Sequence, residues 1–299
     1  MNEKTPLVMG HEAVGTVHAV GSAVSHLSVG DCVAIEPGSP CRSCARCKEG
    51  YYNLCPSMKF AACPPDTPGT LSKYFKIPAD FCYKLPVGMR LEEGVLAEPL
   101  AVAVHAVRMI DVRPGQFLIV FGCGTVGILC AAVARLFGAR KVIAVDILEQ
   151  KLEFAKTFNK CNTFKPNMQE NADRNATRLM RDNNLGLGAD GVIEASGAES
   201  SINTAIHAVR PGGSIVQTGL GKPKITFPVV AFSEKEIHMH GAFRYGQGDF
   251  QIAMDILEDG SINVQDLITS IFPFEKATDA WEATKAGKGI KNMIRGVSD

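Results

Sequence analysis

The stretch from Leu118 to Asp146, LIVFGCGTVGILCAAVARLFGARKVIAVD, constrains this chain more than any other. It opens on a short apolar run, Leu118 to Phe121, the texture of a strand buried on both faces. Gly122, Gly124 and Gly127 follow in G-x-G-x-x-G spacing, and a helical segment runs on to Phe137. Gly138 stands where a left-handed helix cap belongs. A second apolar strand, Val142 to Val145, closes on Asp146. In this pattern Gly122 permits the tight turn, Gly124 lets the backbone approach a pyrophosphate, and Gly127 lets helix and strand pack closely. The helix N-terminus adds free N–H groups and a positive dipole end. A carboxylate at the end of the second strand accepts ribose hydroxyls and repels a 2′-phosphate, so Asp146 points to NAD over NADP. The rival readings are a glycine-rich turn in another α/β protein and a membrane span over the uncharged stretch Phe117 to Ala134. Three glycines and a polar, strand-like continuation weigh against the span.

A chain of 299 residues has room for about two domains at ~150 residues each. Its 31 Lys and Arg balance 31 Asp and Glu, which argues against a nucleic-acid or anionic-membrane partner. The opening MNEKTPLVMG has no apolar signal core. Without a secretory signal, ten cysteines read as thiols, metal ligands or core residues, and the expected compartment is the cytoplasm.

Residues Pro6 to Val20 and Cys32 to Ile35 carry the β-branched, glycine-punctuated texture of a small β domain. Cys32, among apolar strand residues, is expected to be a core thiol. Leu71 to Ile77 and Phe81 to Leu85 read as further strands. His11 and Glu12 form the first chemical pair: both suit a Lewis-acid zinc, and both also suit a polar turn. Cys41, Cys44, Cys47 and Cys55 have the C-x2-C-x2-C-x7-C spacing of a closed, structural zinc site. Two disulfides or unligated thiols are the alternatives. Glu98, directly before Pro99 and among apolar residues, needs a partner. It reads either as a helix cap or as an active-site carboxylate beside metal-bound water.

Beyond Asp146 the α/β alternation continues. Helices are expected over Leu148 to Phe158, Met168 to Asp182 and Ser201 to Val209, the last stopped by Arg210-Pro211-Gly212-Gly213. Strands are expected over Ala189 to Ala195 and Ser214 to Thr218, ending in Ser196-Gly197 and Gly219-Leu220-Gly221. Such strand ends are where nucleotides lie in an open parallel sheet. Lys151 either reaches the ribose or faces solvent. Ile237 to Phe243 alternates like a strand and runs into Arg244-Tyr245-Gly246; those two side chains suit a polyhydroxylated ligand or an ordinary surface turn. Asp249 to Glu258 and Glu275 to Ala286 read as helices, with a strand at Ile271 to Phe274 and another near Met293.

Taken together, Gly10-His11-Glu12, the four-cysteine lobe, Glu98-Pro99-Leu100, the glycine fingerprint, Asp146, Gly219-Leu220-Gly221 and Phe243-Arg244-Tyr245 resemble the zinc-dependent medium-chain dehydrogenases. Glu-Pro-Leu and Phe-Arg-Tyr-Gly resemble its polyol branch, which includes sorbitol, xylitol and L-arabinitol dehydrogenases. The run Gly241 to Phe250 is most similar to the xylitol enzymes.

The resemblance implies an α/β protein. An N-terminally incomplete GroES-like β domain would cover 1–105 and be completed by 245–299. A Rossmann domain with a doubly wound parallel sheet would cover 106–244. It implies catalytic zinc, or its water, at His11 and Glu12, with Glu98 bonding that water or ligating in turn, and structural zinc at the four cysteines. Arg244 and Tyr245 would touch the polyol, Phe243 to Tyr245 would border the nicotinamide, and Val126, Asp146, Lys151 and Thr218 to Leu220 would line the NAD site. The implied reaction is reversible hydride transfer from a polyol to NAD, with zinc as Lewis acid, in a homo-oligomer of two or four copies. The family's cysteine ligand and substrate tyrosine precede Gly-His-Glu, and none of the ten cysteines here sits at that place. The resemblance therefore also admits a catalytically impaired NAD- and zinc-binding chain. A zinc-free quinone reductase is a third reading, opposed by the four cysteines and Asp146.

Overall fold

A computed structural model describes residues 6–64 and 67–297. It divides into two compact units, 1–101 with 244–299, and 102–243. In the first unit, short β-branched runs between glycine turns build a three-stranded antiparallel sheet. Strand β1 (Ala13–Thr16) pairs with β2 (Cys32–Ile35), joining Ala13 to Ile35 and Thr16 to Cys32. A two-stranded ribbon follows, β3 (Gly38–Ser39) with β4 (Lys59–Phe60). Strand β5 (Cys82–Lys84) lies on the other side of β2, with Ala34 opposite Tyr83. Between β3 and β4 the cysteine lobe holds one short helix, α1 (Ala45–Lys48), and a 3₁₀ turn, Tyr52–Leu54.

Two expectations fail in this unit. Leu71 to Ile77 is no strand. Gly69, Thr70 and Leu71 instead donate backbone hydrogen bonds to the carbonyls of Val8, Gly10 and Met9. These bonds consume the ladder groups locally without a regular register. Cys32 is exposed rather than a core thiol. It pairs with Thr16, also exposed, at one end of the sheet, while the buried face of β2 is carried by Val33 and Ala34.

A short helix, α2 (Leu91–Gly94), precedes α3 (Ala97–Met109), which begins two residues before Pro99. Proline is tolerated there because the first-turn N–H groups have no intrahelical partner. Leu100, Val104 and Val107 recur at helical spacing, and each is fully buried.

The second unit is a six-stranded, wholly parallel sheet. Its members are β6 (Phe117–Phe121), β7 (Lys141–Val145), β8 (Asn162–Phe164), β9 (Ala189–Glu194), β10 (Val209–Gln217) and β11 (His238–Gly241). The order β11-β10-β9-β6-β7-β8 reverses direction between β6 and β9, the doubly wound arrangement. Helices α4 (Thr125–Leu136), α5 (Glu149–Asn159), α6 (Ala172–Asn183), α7 (Glu199–Ala208) and α8 (Val229–Glu234) make the connections. Gly138, at φ +103°, caps α4 as its position predicts. The polar helix starts later than the sequence suggests, because the Asn171 side chain caps it by accepting from the Arg174 N–H. Arg210 to Gly213, expected as a helix stop, falls inside an irregular stretch of β10. Ile119, Ile143, Val192 and Ile215 form the sheet's buried spine, all fully buried.

The chain then returns to the first unit with α9 (Asp249–Asp259) and the parallel pair β12 (Ile268–Phe272) and β13 (Lys291–Ile294), joined through α10 (Ala277–Lys285).

Candidate functional site

In the first unit, the Gly10-His11-Glu12 turn is fixed by Gly10 at φ +92°. A Cβ there would meet Thr70 and the Leu71 N–H. The turn leads into β1 and brings His11 and Glu12 to Glu98, in the first turn of α3. One ligand atom from each of the three lies within 4.8 Å of the others. Burial, then the Lys291 and Arg244 charges, hold the His11 imidazole below its usual pKa and favour its neutral, ligating form. Glu98 is 5% exposed. Burial pushes its pKa up to about 8, against the opposing pull of the Tyr245 hydroxyl and the Arg244 charge. An imidazole and two carboxylates converging in this way fit a divalent cation such as zinc. Glu12 has a second partner, Lys291 of β13, whose ammonium forms an ion pair with Oε2 without a well-aligned hydrogen bond.

Arg244 and Tyr245 belong to the same unit. Arg244 adopts φ +59°, a left-handed conformation unusual for a long side chain. Its guanidinium stacks 3.6 Å from the Phe60 ring, and that ring lies 5.7 Å from the His11 imidazole. Tyr245 is 2% exposed, and its hydroxyl faces Glu98 without an aligned hydrogen bond. The metal-competent cluster and the Arg244–Tyr245 pair are thus neighbours. A cavity of about 630 Å³ also touches His11 and Glu12, but its walls include Leu71, Val95, Trp281 and Met293 and none of Glu98, Arg244 or Tyr245. Its lining is mixed, since Lys73, Glu92, Asn292 and Arg295 join these apolar walls.

The cysteine lobe brings all four thiols within 4.8 Å of one another. Cys44 Sγ lies 3.5 Å and Cys41 Sγ 4.0 Å from Cys47 Sγ. Four ligands at the usual Zn–S length of about 2.3 Å would be about 3.8 Å apart, so the thiols fit a tetrahedral zinc. The Ser43 N–H and hydroxyl pull the Cys41 thiol down to about 6, while burial and its thiol neighbours push Cys47 up to about 12. Opposite shifts at Cys41 and Cys47 mean that the close sulfurs compete for negative charge, a competition that a bound cation would relieve.

Next to the lobe, Glu36 is 1% exposed. It accepts hydrogen bonds from the hydroxyls of Tyr52 at 2.5 Å and Tyr83 at 2.9 Å. Burial outweighs these donors and raises its pKa from 4.5 to about 7. The folded chain therefore binds more protons than the unfolded chain between those values. The stability that protonation contributes is complete below about pH 4.5 and is lost as pH rises through about 7, an effect of about 3 kcal/mol at most. Scanning calorimetry from pH 5 to 8 should show Glu36→Gln flattening the fall of the melting temperature.

In the second unit, Gly122 has φ +91°, and a Cβ there would lie 3.0 Å from the Ala195 carbonyl carbon and the Ser196 nitrogen. The loops after β6 and β9 therefore touch where the strand order reverses. A Cβ on Gly124 would meet nothing within 4 Å. Asp146 lies at the end of β7. Its carboxylate accepts from the Cys123 N–H at 2.8 Å and from the Leu148 N–H at 2.9 Å, so it is fixed against the glycine turn. The Lys151 charge acts on Cys123, placing this lysine beside the same turn. Thr218 Oγ1 is buried and has no partner. Leu220 is 89% exposed, and Val126 and Phe243 are partly exposed. Open space beside glycine N–H groups, an oriented carboxylate and an orphaned hydroxyl fit a dinucleotide.

Sequence reasoning passed over the residue that holds these loops. Glu194, fully buried at the end of β9, accepts from the Ser196 N–H and hydroxyl, from Gly197 N–H at 2.9 Å and from Gln217 Nε2 at 2.7 Å. Its own carbonyl accepts from the N–H groups of Thr218 and Gly219. The signal was a lone carboxylate closing an apolar strand. Phe60, Glu36 and Lys291 were also missed, and each acts only through partners far away in sequence.

Residues 1–87 match the alcohol dehydrogenase GroES-like domain, and residues 125–259 match the zinc-binding dehydrogenase domain. The chain is 54% identical over 296 residues to "Probable D-xylulose reductase A" of Neosartorya fischeri, covering 99% of this chain and 82% of that protein. It is 53% identical over 294 residues to D-xylulose reductase A of Aspergillus niger, covering 98% and 82%. Among solved structures it resembles L-idonate 5-dehydrogenase of Escherichia coli, with TM-score 0.87 and 29% identity over 96% of this chain and 81% of that one. It also resembles alcohol dehydrogenase TADH of Thermus sp. ATN1, with TM-score 0.85 and 26% identity over 98% and 86%. No described helix is long and apolar enough to cross a membrane. With this breadth of likeness, added to a parallel doubly wound sheet and two clusters of metal-competent side chains, the chain belongs to the zinc-binding dehydrogenases, in the branch that contains the D-xylulose reductases.

Proposed function

We propose that this chain is an NAD- and zinc-dependent polyol dehydrogenase that oxidises xylitol to D-xylulose. The observation that carries the reading is the convergence of His11, Glu12 and Glu98, within 4.8 Å, in a unit that also presents Arg244 and Tyr245. The relatives' name supports the choice of xylitol. His11, Glu12 and Glu98 would hold a zinc, which supplies Lewis-acid polarisation of the alcohol oxygen. Lys291, paired with Glu12, keeps that carboxylate from adding a full negative charge to the site. Arg244, steadied on Phe60, orients the sugar hydroxyls, and Tyr245 borders the same ligand. Glu98, buried in the first turn of α3, would close the metal site from the side opposite the solvent-exposed His11.

In the second unit, Gly122 and Gly124 receive the diphosphate of NAD at the start of α4, and Thr218 donates its free hydroxyl. The cavity of about 710 Å³ bounded by Phe121, Ile147, Met168 and Ser196 takes the adenosine. Asp146 accepts the ribose hydroxyls. Asp146→Asn keeps the shape and removes the charge, so NAD should bind about thirtyfold more weakly, with NADP losing less. Titration calorimetry with each coenzyme measures both. The reading extends to a cytoplasmic homo-oligomer of two or four copies, which light scattering would size.

The deciding assay is NADH formation with xylitol, sorbitol and L-arabinitol at saturating zinc, together with zinc content. Xylitol is expected to give the highest kcat/KM, with about two zinc ions per chain. No turnover with any of the three, with about one zinc per chain, would sink the proposal and favour the impaired reading.

A further inference from the structure

Tyr52 sits in the 3₁₀ turn between Cys47 and Cys55, the third and fourth thiols of the lobe. Its ring packs edge-on against Phe81, with centroids 6.1 Å apart. Its single phenolic proton faces two acceptors, Glu36 Oε1 at 2.5 Å and the Gly246 carbonyl at 3.2 Å. Such a three-centre arrangement leaves the tyrosine no freedom to swing. Gly246 is held from its other side too, since its N–H donates to Asp249 Oδ2 at 2.7 Å. Asp249 and Glu36 are each 1% exposed. A second contact joins the same two segments, because Gly50 of the lobe lies directly against the Gln247 side chain. Gly246 immediately follows Arg244 and Tyr245.

Two buried carboxylates and two phenols would be replaced by apolar side chains at little or no cost if stability were their only role. Their geometry serves placement instead. Tyr83 makes the instructive contrast. It donates to the other oxygen of Glu36 at 2.9 Å, and its ring packs on Phe250 with centroids 4.6 Å apart.

We propose that Tyr52 is a positioning residue: it transmits the fold of the cysteine lobe to the Arg244–Gly246 turn and thereby sets polyol affinity without touching the polyol. The inference rests on the reading of Arg244 and Tyr245 as polyol contacts, and the test separates the two. Tyr52→Phe and Tyr83→Phe each remove one hydroxyl from the same carboxylate, in the full chain. For Tyr52→Phe, amide hydrogen exchange across Arg244 to Asp249 is expected to quicken about tenfold, and the KM for xylitol to rise about tenfold. Its kcat and NAD affinity stay within about twofold of the parent, and Tyr83→Phe changes neither exchange nor KM beyond that margin. Unchanged exchange in Tyr52→Phe, or equal changes in both variants, overturns the inference. Faster exchange with an unchanged KM upholds the tie to the turn but overturns the assignment of that turn to the polyol. The exchange readout needs no turnover, so it measures the tie even in an inactive parent.

Discussion

Gly127→Ala is expected to abolish useful coenzyme binding, weakening NAD about a hundredfold and lowering stability by about 3 kcal/mol. The added Cβ would run into the Gly122 carbonyl oxygen, with the Gly122 carbonyl carbon 2.9 Å away. Both colliding groups are backbone, so no side chain can turn aside. Gly122 cannot retreat either, since a Cβ placed on it would already stand 3.0 Å from Ala195 and Ser196 of the neighbouring loop. The helix must therefore lift from the strand, carrying the N–H groups of its first turn out of place. Gly124→Ala makes the contrast. Its Cβ would meet no protein atom within 4 Å, so the melting temperature should stay within about a degree or two while NAD affinity falls about tenfold or more. Calorimetric titration and thermal melts of the two variants measure both quantities. Equal losses of stability would contradict this account.

Cys44→Ser is expected to remove about one zinc per chain and to unfold the lobe at a lower temperature than the rest of the molecule. The lobe has little regular secondary structure to organise it. Its regular structure amounts to the four-residue α1, a three-residue turn and two-residue strands at its borders. Structural zinc contributes ~10–16 kcal/mol of apparent binding energy in small zinc-dependent domains, far more than one short helix supplies. A serine hydroxyl is a poor replacement for a thiolate, so even a metal retained by three cysteines should be lost to mild chelation. Cys32→Ser is the control: that thiol is exposed and stands outside the cluster, and metal content and melting should not change. Elemental analysis before and after chelation distinguishes the two variants.

These expectations rest on features of different legibility. The β6-α4-β7 unit was readable almost to the residue, because a buried parallel strand, a glycine turn and a capped helix each leave a local mark. The fourfold cysteine spacing was equally plain, since a tetrahedral ion demands close ligands. Asp146 was readable as the acid that closes β7, but not the two backbone N–H groups that aim it. Leu71 to Ile77 misled because apolar residues with β propensity settled against the 8–10 turn, where propensity yielded to tertiary context. Cys32 misled because a strand end can turn an apolar side chain outward. Glu98 alone reads equally as a cap or a site residue, because the groups beside it, Tyr245 and Arg244, lie more than a hundred residues later. Lys291 and Glu36 left no local mark at all, since a lysine in a terminal strand or a glutamate before a proline is commonplace.

Glu194 has a consequence for the rate at which coenzyme is captured. One carboxyl group gathers the N–H groups of Ser196 and Gly197 and the Gln217 amide, and that amide also donates to the Gly219 carbonyl at 2.8 Å. Two rims of the nucleotide crevice are therefore already rigid before any guest arrives. Little ordering entropy remains to be surrendered on encounter, so association should be single-phased and fast, with tightness governed by departure.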